Sequence, residues 1–240
     1  MTTLRVDDDI FRAFPDVLIG VAAFSGVDNA GESAEVTAAL RAEEDRVAAA
    51  FTGVAIPDHP RIAPWRAAYR AFGAKPKDHP SSIENLLRRV SKGGRLPHIS
   101  KLVDLYNVVS LRHLVPVGGE DLAAVAGDVA LAFAGEDEPP VRLLGEPPEM
   151  SRPPKRGEVI YRDRLGALCR RWNWKEADRT KLTEQTRDGF LVVETLPPVT
   201  RAELDAALDD LANMIRGHCG GEVRTAILDA GHPETPLNGA

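Results

Sequence analysis

Residues 101–121 read KLVDLYNVVSLRHLVPVGGED. A run this apolar must be covered by other parts of the chain, yet it carries an acid and an amide near its centre and closes on two adjacent glycines. Whatever covers it must therefore also satisfy Asp104 and Asn107, because an unpaired polar group in a core is costly. Ser100, Asp104, Asn107 and Leu111 follow at spacings of four, three and four. Those positions share one face of a helix and no single face of a strand, so the spacing predicts a helix over about 100–112. Pro116 then forces an extended connection, and Gly118-Gly119 can adopt backbone conformations closed to other residues. Asp104 and Asn107 either satisfy neighbouring backbone groups or line a site built into the core.

The flanking segments supply that cover. FPDVLIGVAAFSGVDN (14–29) is rich in β-branched and aromatic residues and closes on turn residues, the signature of a strand. ESAEVTAALRAEEDRVAAAF (32–51) is a run of helix formers with Val36, Leu40 and Val47 on its inner face. HPRIAPWRAAYRAFG (59–73) predicts a helix that starts after Pro64 and stops at Gly73. SSIENLLRRVSKGG (81–94) opens with a capping box, Ser81 and Glu84, and ends at Gly93 and Gly94. VALAFAG, GEVIYRD, GALCRRWNW, GFLVVETL and EVRTAILD read as strands, and TRAELDAALDDLANMIRGH as a helix with a second capping box, Thr200 and Glu203. Residues 136–156, the most proline-rich segment, predict a long exposed loop, and residues 231–240 a flexible tail. The expected fold is mixed α/β (α+β) within one domain over 10–230.

Composition narrows the function. A chain of 240 residues, 43% of them apolar, can bury a core of its own. Nothing in it reads as a membrane span, and MTTLRVDDDIFRAFPD has neither the basic nor the apolar region of a signal peptide, so a cytoplasmic protein is expected. Cys169 and Cys219 are too few and too far apart for a metal-ligand pattern. A net charge of −6 argues against general nucleic-acid affinity, and no DNA partner is expected. Two basic clusters stand out locally: Arg88, Arg89, Lys92, Arg95 and Lys101, and Arg170, Arg171, Lys175, Arg179 and Lys181. They form either a positive face or simply solvated surface.

The common catalytic signatures are absent: no G-x-S-x-G elbow, phosphate loop, dinucleotide fingerprint, H-E-x-x-H or C-x-x-C occurs. The six histidines are scattered, so neither a metal nor a cofactor is expected. Polar groups set in apolar frames are what is left. Glu194 ends the run GFLVVE, where a carboxylate is either a pocket wall, half of an ion pair, or an edge-strand acid facing water. Thr180, Thr183 and Thr186 recur at threes in a loop. Trp172 and Trp174 fall on one strand face with Arg170, which suits either base stacking or a core.

Taken in order, SSIENLLRR, LPHISKLVDLYNVVSLRHLVPVGGEDL, RRWNWKEADRTKLTEQT and FLVVE resemble the free-standing relatives of the editing domain in the beta subunit of bacterial phenylalanyl-tRNA synthetase, the B-three/B-four domain. The resemblance spans about residues 10–230 and implies two intimately packed modules with antiparallel sheets flanked by helices. It further implies a pocket between them where the ester of a mischarged tRNA is hydrolysed. Val103, Asp104 and Asn107 match the family's V-D-x-x-N, which puts Asn107 at the ester. Glu194 matches the pocket glutamate, suited to the substrate's α-ammonium. Thr180, Thr183, Asp104 and Lys101 are then expected around the substrate, with Arg88, Arg89, Arg170 and Arg171 on tRNA. Where the family has H-A-F-D, this chain has Gly118, Gly119, Glu120 and Asp121: the aspartate is kept and the histidine is lost. Any mechanism needing an imidazole there is excluded, whereas backbone amides at the two glycines and a ribose hydroxyl could still position water and stabilise an oxyanion. The implied activity is that of an aminoacyl-tRNA deacylase acting on mischarged tRNA. The rival reading is a module that binds tRNA or an amino acid without turnover.

Overall fold

The computed structural model describes residues 1–238; the last two residues of the expected 231–240 tail lie outside the described residues. In chain order the elements are β1 (Thr3–Val6), α1 (Asp8–Ala13), β2 (Leu18–Ser25), α2 (Ala34–Ala50), α3 (Ala63–Ala71), α4 (Ser82–Val90), α5 (Lys101–His113), β3 (Val117–Asp121), β4 (Val129–Phe133), β5 (Val159–Asp163), β6 (Gly166–Arg170), β7 (Lys175–Glu176), β8 (Gly189–Thr195), α6 (Arg201–Cys219), β9 (Glu222–Leu228) and β10 (Glu234–Pro236). The strands build two sheets. One is four-stranded, ordered β3-β8-β2-β9 and antiparallel throughout; the other is six-stranded, ordered β10-β1-β4-β5-β6-β7, with β1 and β4 its parallel pair. This is the mixed α/β, largely antiparallel architecture expected. No described helix is long and apolar enough to cross a membrane.

Strand β8 explains why GFLVVET reads as a continuous apolar run. It lies between β3 and β2, and every residue of it is buried. Phe190 and Val192 join the core shared with the second sheet, while Leu191 and Val193 join the core beneath α6. The alternation has two apolar targets. Helix α6 presents Leu204, Leu208, Leu211 and Ile215 to that second core. It sits so close that a Cβ on Gly20 of β2 would lie 2.9 Å from Leu204 Cδ1. The Thr200–Glu203 capping box at its start is fully formed.

Helix α5 runs through the centre of the molecule, and Leu102, Leu105, Val108, Val109 and Leu111 are all fully buried. Its first turn is held from outside: Asn29 Oδ1 accepts the Leu102 N–H at 2.8 Å, and the Ser100 hydroxyl accepts that of Val103. Its end is set by Leu114, whose left-handed conformation (φ 55°) returns an N–H to the Ser110 carbonyl. Pro116 follows and drives the chain straight into β3.

Several expectations are corrected. Gly118 and Gly119 do not use the backbone conformations closed to other residues; they lie in the middle of edge strand β3. Strand β6 stops at Arg170, because Arg171 and Trp172 both adopt positive φ (49° and 66°) and wind the chain into a tight turn. Trp172 and Trp174 therefore share no strand face with Arg170. Residues 136–156 run largely exposed, but they are pinned where Val141 and Leu143 are buried and where isolated bridges join Val141 to Arg152 and Leu143 to Ala177. Residues 234–236 form β10 on the outer edge of β1, and Leu237 is buried behind it, where a flexible tail was expected. The Ser81 cap of α4 accepts the Glu84 N–H, but the Glu84 carboxylate turns to Arg66 and Arg88, both at 2.6 Å, so that capping box is half formed.

Candidate functional site

A cavity of about 270 Å³ opens between the two sheets. Its floor is one face of β8, where Phe190, Val192 and Glu194 alternate as the pleat requires. Edge strand β3 gives Gly118, Gly119 and Glu120; α5 gives Tyr106 and Asn107; the opposite sheet and the turn after β6 give Tyr161, Trp172, Asn173, Trp174 and Glu176. The apolar run 101–121 and the strand ending in Glu194 thus meet at one place, as expected. No histidine is among the lining residues.

Asn107 is only 8% exposed, yet among the described residues its side-chain amide has no hydrogen-bond partner and faces the cavity. An amide open to the cavity and not engaged by the protein is available to a ligand there. Glu194 is 2% exposed and well supplied: Tyr161 donates its hydroxyl to Oε1 at 2.7 Å, and Asn173 donates Nδ2 to Oε2 at 2.7 Å. Tyr69 in turn donates to Asn173 Oδ1 at 2.8 Å, fixing which way the amide points. Burial raises the Glu194 carboxyl to about 7, with the Tyr161 and Asn173 hydrogen bonds holding it from going further. The left-handed pair Arg171-Trp172 is what aims Asn173 at Glu194. Two such residues cost on the order of 1–2 kcal/mol each. The turn is held by Trp172 N–H to the Val159 carbonyl at 2.6 Å and by the Trp172 ring, fully buried and edge-on to Trp65 at 5.2 Å.

The ladder of β3 on β8 decides what the two glycines can offer. The Glu194 N–H bonds the Pro116 carbonyl, so in an antiparallel pair the bonded positions are 116, 118 and 120. The Gly118 N–H is therefore committed to β8, whereas the Gly119 N–H points away from it and toward the Glu176 carboxylate. Of the pair expected to stabilise an oxyanion, only Gly119 turns its amide away from the sheet, and there it meets Glu176. Gly119 is required for a different reason: a Cβ there would lie 2.1 Å from the Phe190 carbonyl oxygen. A Cβ on Gly118 would lie 3.0 Å from Glu176 Oε1, inside the cavity.

Two more carboxylates occupy this end. Glu120 is 4% exposed and its Oε2 has no hydrogen-bond partner. Burial first, and then the charge of Glu176, push its carboxyl well above the usual carboxylate range. Burial raises Glu176 to about 7, the Gly119 N–H opposing the rise. Sequence reasoning missed both, as well as Tyr161 and Asn173. Glu120 sat beside an aspartate and Glu176 beside a lysine, where charges pass for surface.

The remaining expected residues are placed elsewhere. Asp104 is buried one turn from Asn107, outside the cavity lining, and its Oδ2 takes the His98 ring at 2.7 Å. Thr180 accepts the Asp121 N–H with its carbonyl, and Thr183 accepts from Asn29 with its own, so both brace the loop and neither lines the cavity. Lys101 Nζ lies 3.9 Å from Asp28, also away from it. Arg170 is corrected outright: it is buried, and its Nε and Nη2 each donate to Glu158 at 2.8 Å. Arg88 is tied to Glu84, Arg89 is exposed, and Arg171 stacks over the Trp174 ring at 4.4 Å beside the cavity mouth.

A family model described as the B3/4 domain matches residues 64–220, well over half of the chain. The chain belongs to the B3/4 domain family. The matched segment holds every cavity-lining residue named above. No curated protein matches the chain. Among solved structures it is similar to an N-terminal fragment of the phenylalanyl-tRNA synthetase beta-subunit from Pyrococcus horikoshii, at 11% identity and a TM-score of 0.47 over 93% of this chain. The chain spans about half the length of that fragment, 50%.

Proposed function

We propose that this B3/4 domain protein is an aminoacyl-tRNA deacylase that hydrolyses the ester of mischarged tRNA in the cavity between its sheets. The observation that carries the reading is the Asn107 amide, buried, without a protein partner and facing the same cavity as Glu194. An aminoacyl ester offers one group for each. Asn107 donates to the ester carbonyl, and Glu194, whose oxygens each have a second lone pair to spare, accepts from the α-ammonium. The outward N–H of Gly119 meets the Glu176 carboxylate, so it serves a developing oxyanion only where that carboxylate turns aside, and Gly118 contributes room rather than a hydrogen bond. No imidazole is at hand, so the ribose hydroxyl next to the ester is the group that positions water in this scheme. Arg171, stacked over Trp174 at the mouth, and Arg89 on α4 are the cations this reading assigns to the tRNA strand, while Lys175 is held by Glu146 and Arg88 by Glu84. A chain of net charge −6 implies weak, strongly salt-dependent tRNA affinity.

The test is release of amino acid from a panel of mischarged tRNAs, with Asn107→Ala and Glu194→Ala beside the native chain. Each substitution should lower turnover by about a hundredfold, the range found when an oriented donor at a reacting centre is removed. Full activity in either variant would dismiss the assigned site. No ester loss from any species at micromolar protein, with tRNA still retarded in a gel, would support the binding module instead.

A further inference from the structure

The end of the cavity away from Glu194 holds two carboxylates, neither of which forms an ion pair among the described residues: Glu176 meets the Gly119 N–H, and Glu120 lies beside the Thr180 hydroxyl. Glu120 stands opposite Phe190 in the β3–β8 pairing, four residues along β8 from Glu194, or about 13 Å at the backbone. Its side chain leans into the cavity from one sheet, and Glu176 reaches in from the other, over Gly118. Arg179, the cation nearest in influence to Glu120, spends its guanidinium on Asp163 and on the Ala124 carbonyl. Lys175 is taken up by Glu146. Glu120 Oε2 is left with no hydrogen bond although it is buried. A buried carboxylate oxygen without a partner is a cost that a donor brought by a ligand would remove. Between the two acidic ends the walls are largely apolar, with the Tyr106 ring, Phe190 and Val192 beside Asn107. An acid at each end and a hydrocarbon sleeve between them match a ligand with two cationic nitrogens joined by an aliphatic stem. Among the described residues no three His, Cys, Asp or Glu side chains stand close enough together to hold a metal, so the carboxylates are better matched to an ammonium than to a bare ion.

We infer that the aminoacyl group this pocket selects carries a second ammonium at the end of an aliphatic side chain, as lysine and ornithine do, with Glu120 and Glu176 holding that nitrogen and Glu194 the α-ammonium. The inference rests on the aminoacyl-ester reading of the cavity for the α-ammonium end alone. The side-chain end stands on Glu120 and Glu176, whichever group the ester end performs chemistry on.

Norleucine has nearly the same stem as lysine and lacks the terminal nitrogen, so it isolates the inference. Binding of lysinamide and norleucinamide to the full chain, measured by calorimetry, should favour lysinamide at least tenfold. Hydrolysis of lysyl- and norleucyl-tRNA should differ in the same direction. Glu120→Gln and Glu176→Gln, which keep shape and remove charge, should each collapse the lysine-to-norleucine ratio of affinities; melting curves of both variants establish that they are folded. Equal binding of the two amides, no binding of either, or an unchanged ratio in both folded variants would overturn the inference. So would saturable binding of magnesium or calcium that competes with lysinamide. The two readings fail separately. Preferred binding of lysinamide with no hydrolysis of any tRNA would defeat the deacylase and leave the dication pocket; hydrolysis of norleucyl- or tyrosyl-tRNA ahead of lysyl-tRNA would do the reverse.

Discussion

Gly118 and Gly119 are adjacent in sequence and opposite in function, because the pleat turns them to opposite sides and the ladder uses only one of their amides. At Gly119 a methyl group would meet the carbonyl of Phe190, which is backbone and cannot step aside. Gly119→Ala is expected to cost about 3 kcal/mol or more, the upper range of overpacking, and to reduce soluble yield. At Gly118 the same methyl meets the free end of the Glu176 side chain at 3.0 Å. Gly118→Ala should leave the unfolding free energy from urea titration within about 1 kcal/mol of the native value and weaken ligand binding instead. Matched stability losses in the two variants would contradict the account of β3 as a strand with one face on the cavity and the other on the core beneath α6. The sequence shows only that two glycines follow a proline. Which of them is needed for close approach depends on a partner strand some seventy residues away, and no local pattern carries that information.

At the scale of elements the legible parts were those with local causes. The spacing Ser100, Asp104, Asn107, Leu111 predicted α5, and the Thr200–Glu203 pair predicted the start of α6; both stand, since caps and periodicity act within a few residues. The resemblance to the editing domain agrees with the B3/4 family to which the chain belongs, and Asn107 and Glu194 line one cavity. What failed had distant causes. RRWNW reads as a strand because its residues favour strands, but Glu158 and Val159 take the amides of Arg171 and Trp172 and bend it into a left-handed turn. Arg170 reads as surface until its partner Glu158, twelve residues earlier, is seen beside it. Strand β10 is short and flanked by turn residues, and exists only because β1 offers it an edge. Leu237, 2% exposed behind that edge, measures how firmly the terminal strand is docked. Leu237→Ala should cost roughly 2–3 kcal/mol, as for other buried leucines, and lower Tm by about 5–10 °C in a chain of this size. A Tm unchanged within 1 °C would mean that β10 contributes nothing to the fold.

For the molecule as a whole, the cavity is a place where stability is held below what the same fold could reach. Glu194 and Glu176 both titrate near 7 in the folded chain and near 4.5 when exposed, and Glu120 is raised further still. A carboxylate whose folded value is raised binds its proton more tightly in the native state. Its contribution to stability is complete below the unfolded value and is lost as pH rises through the folded one. Stability should therefore fall between about pH 5 and pH 8, by on the order of 3 kcal/mol from Glu194 taken alone. His98, raised by its bond to Asp104, acts in the same direction, and His59 and His79, lowered chiefly by burial, act against it. Urea unfolding of the native chain and of Glu194→Gln at about pH 5.5 and pH 8 separates the carboxylate from the histidines, because the variant should lose most of its share of the decline while the histidine share persists. An identical decline in both would show that Glu194 does not carry it. A cation entering the cavity favours the ionised carboxylates and so recovers this cost on binding. Saturating lysinamide should then raise Tm more at pH 8 than at pH 6, and norleucinamide, with nothing for Glu120 and Glu176, should show the smaller difference between the two.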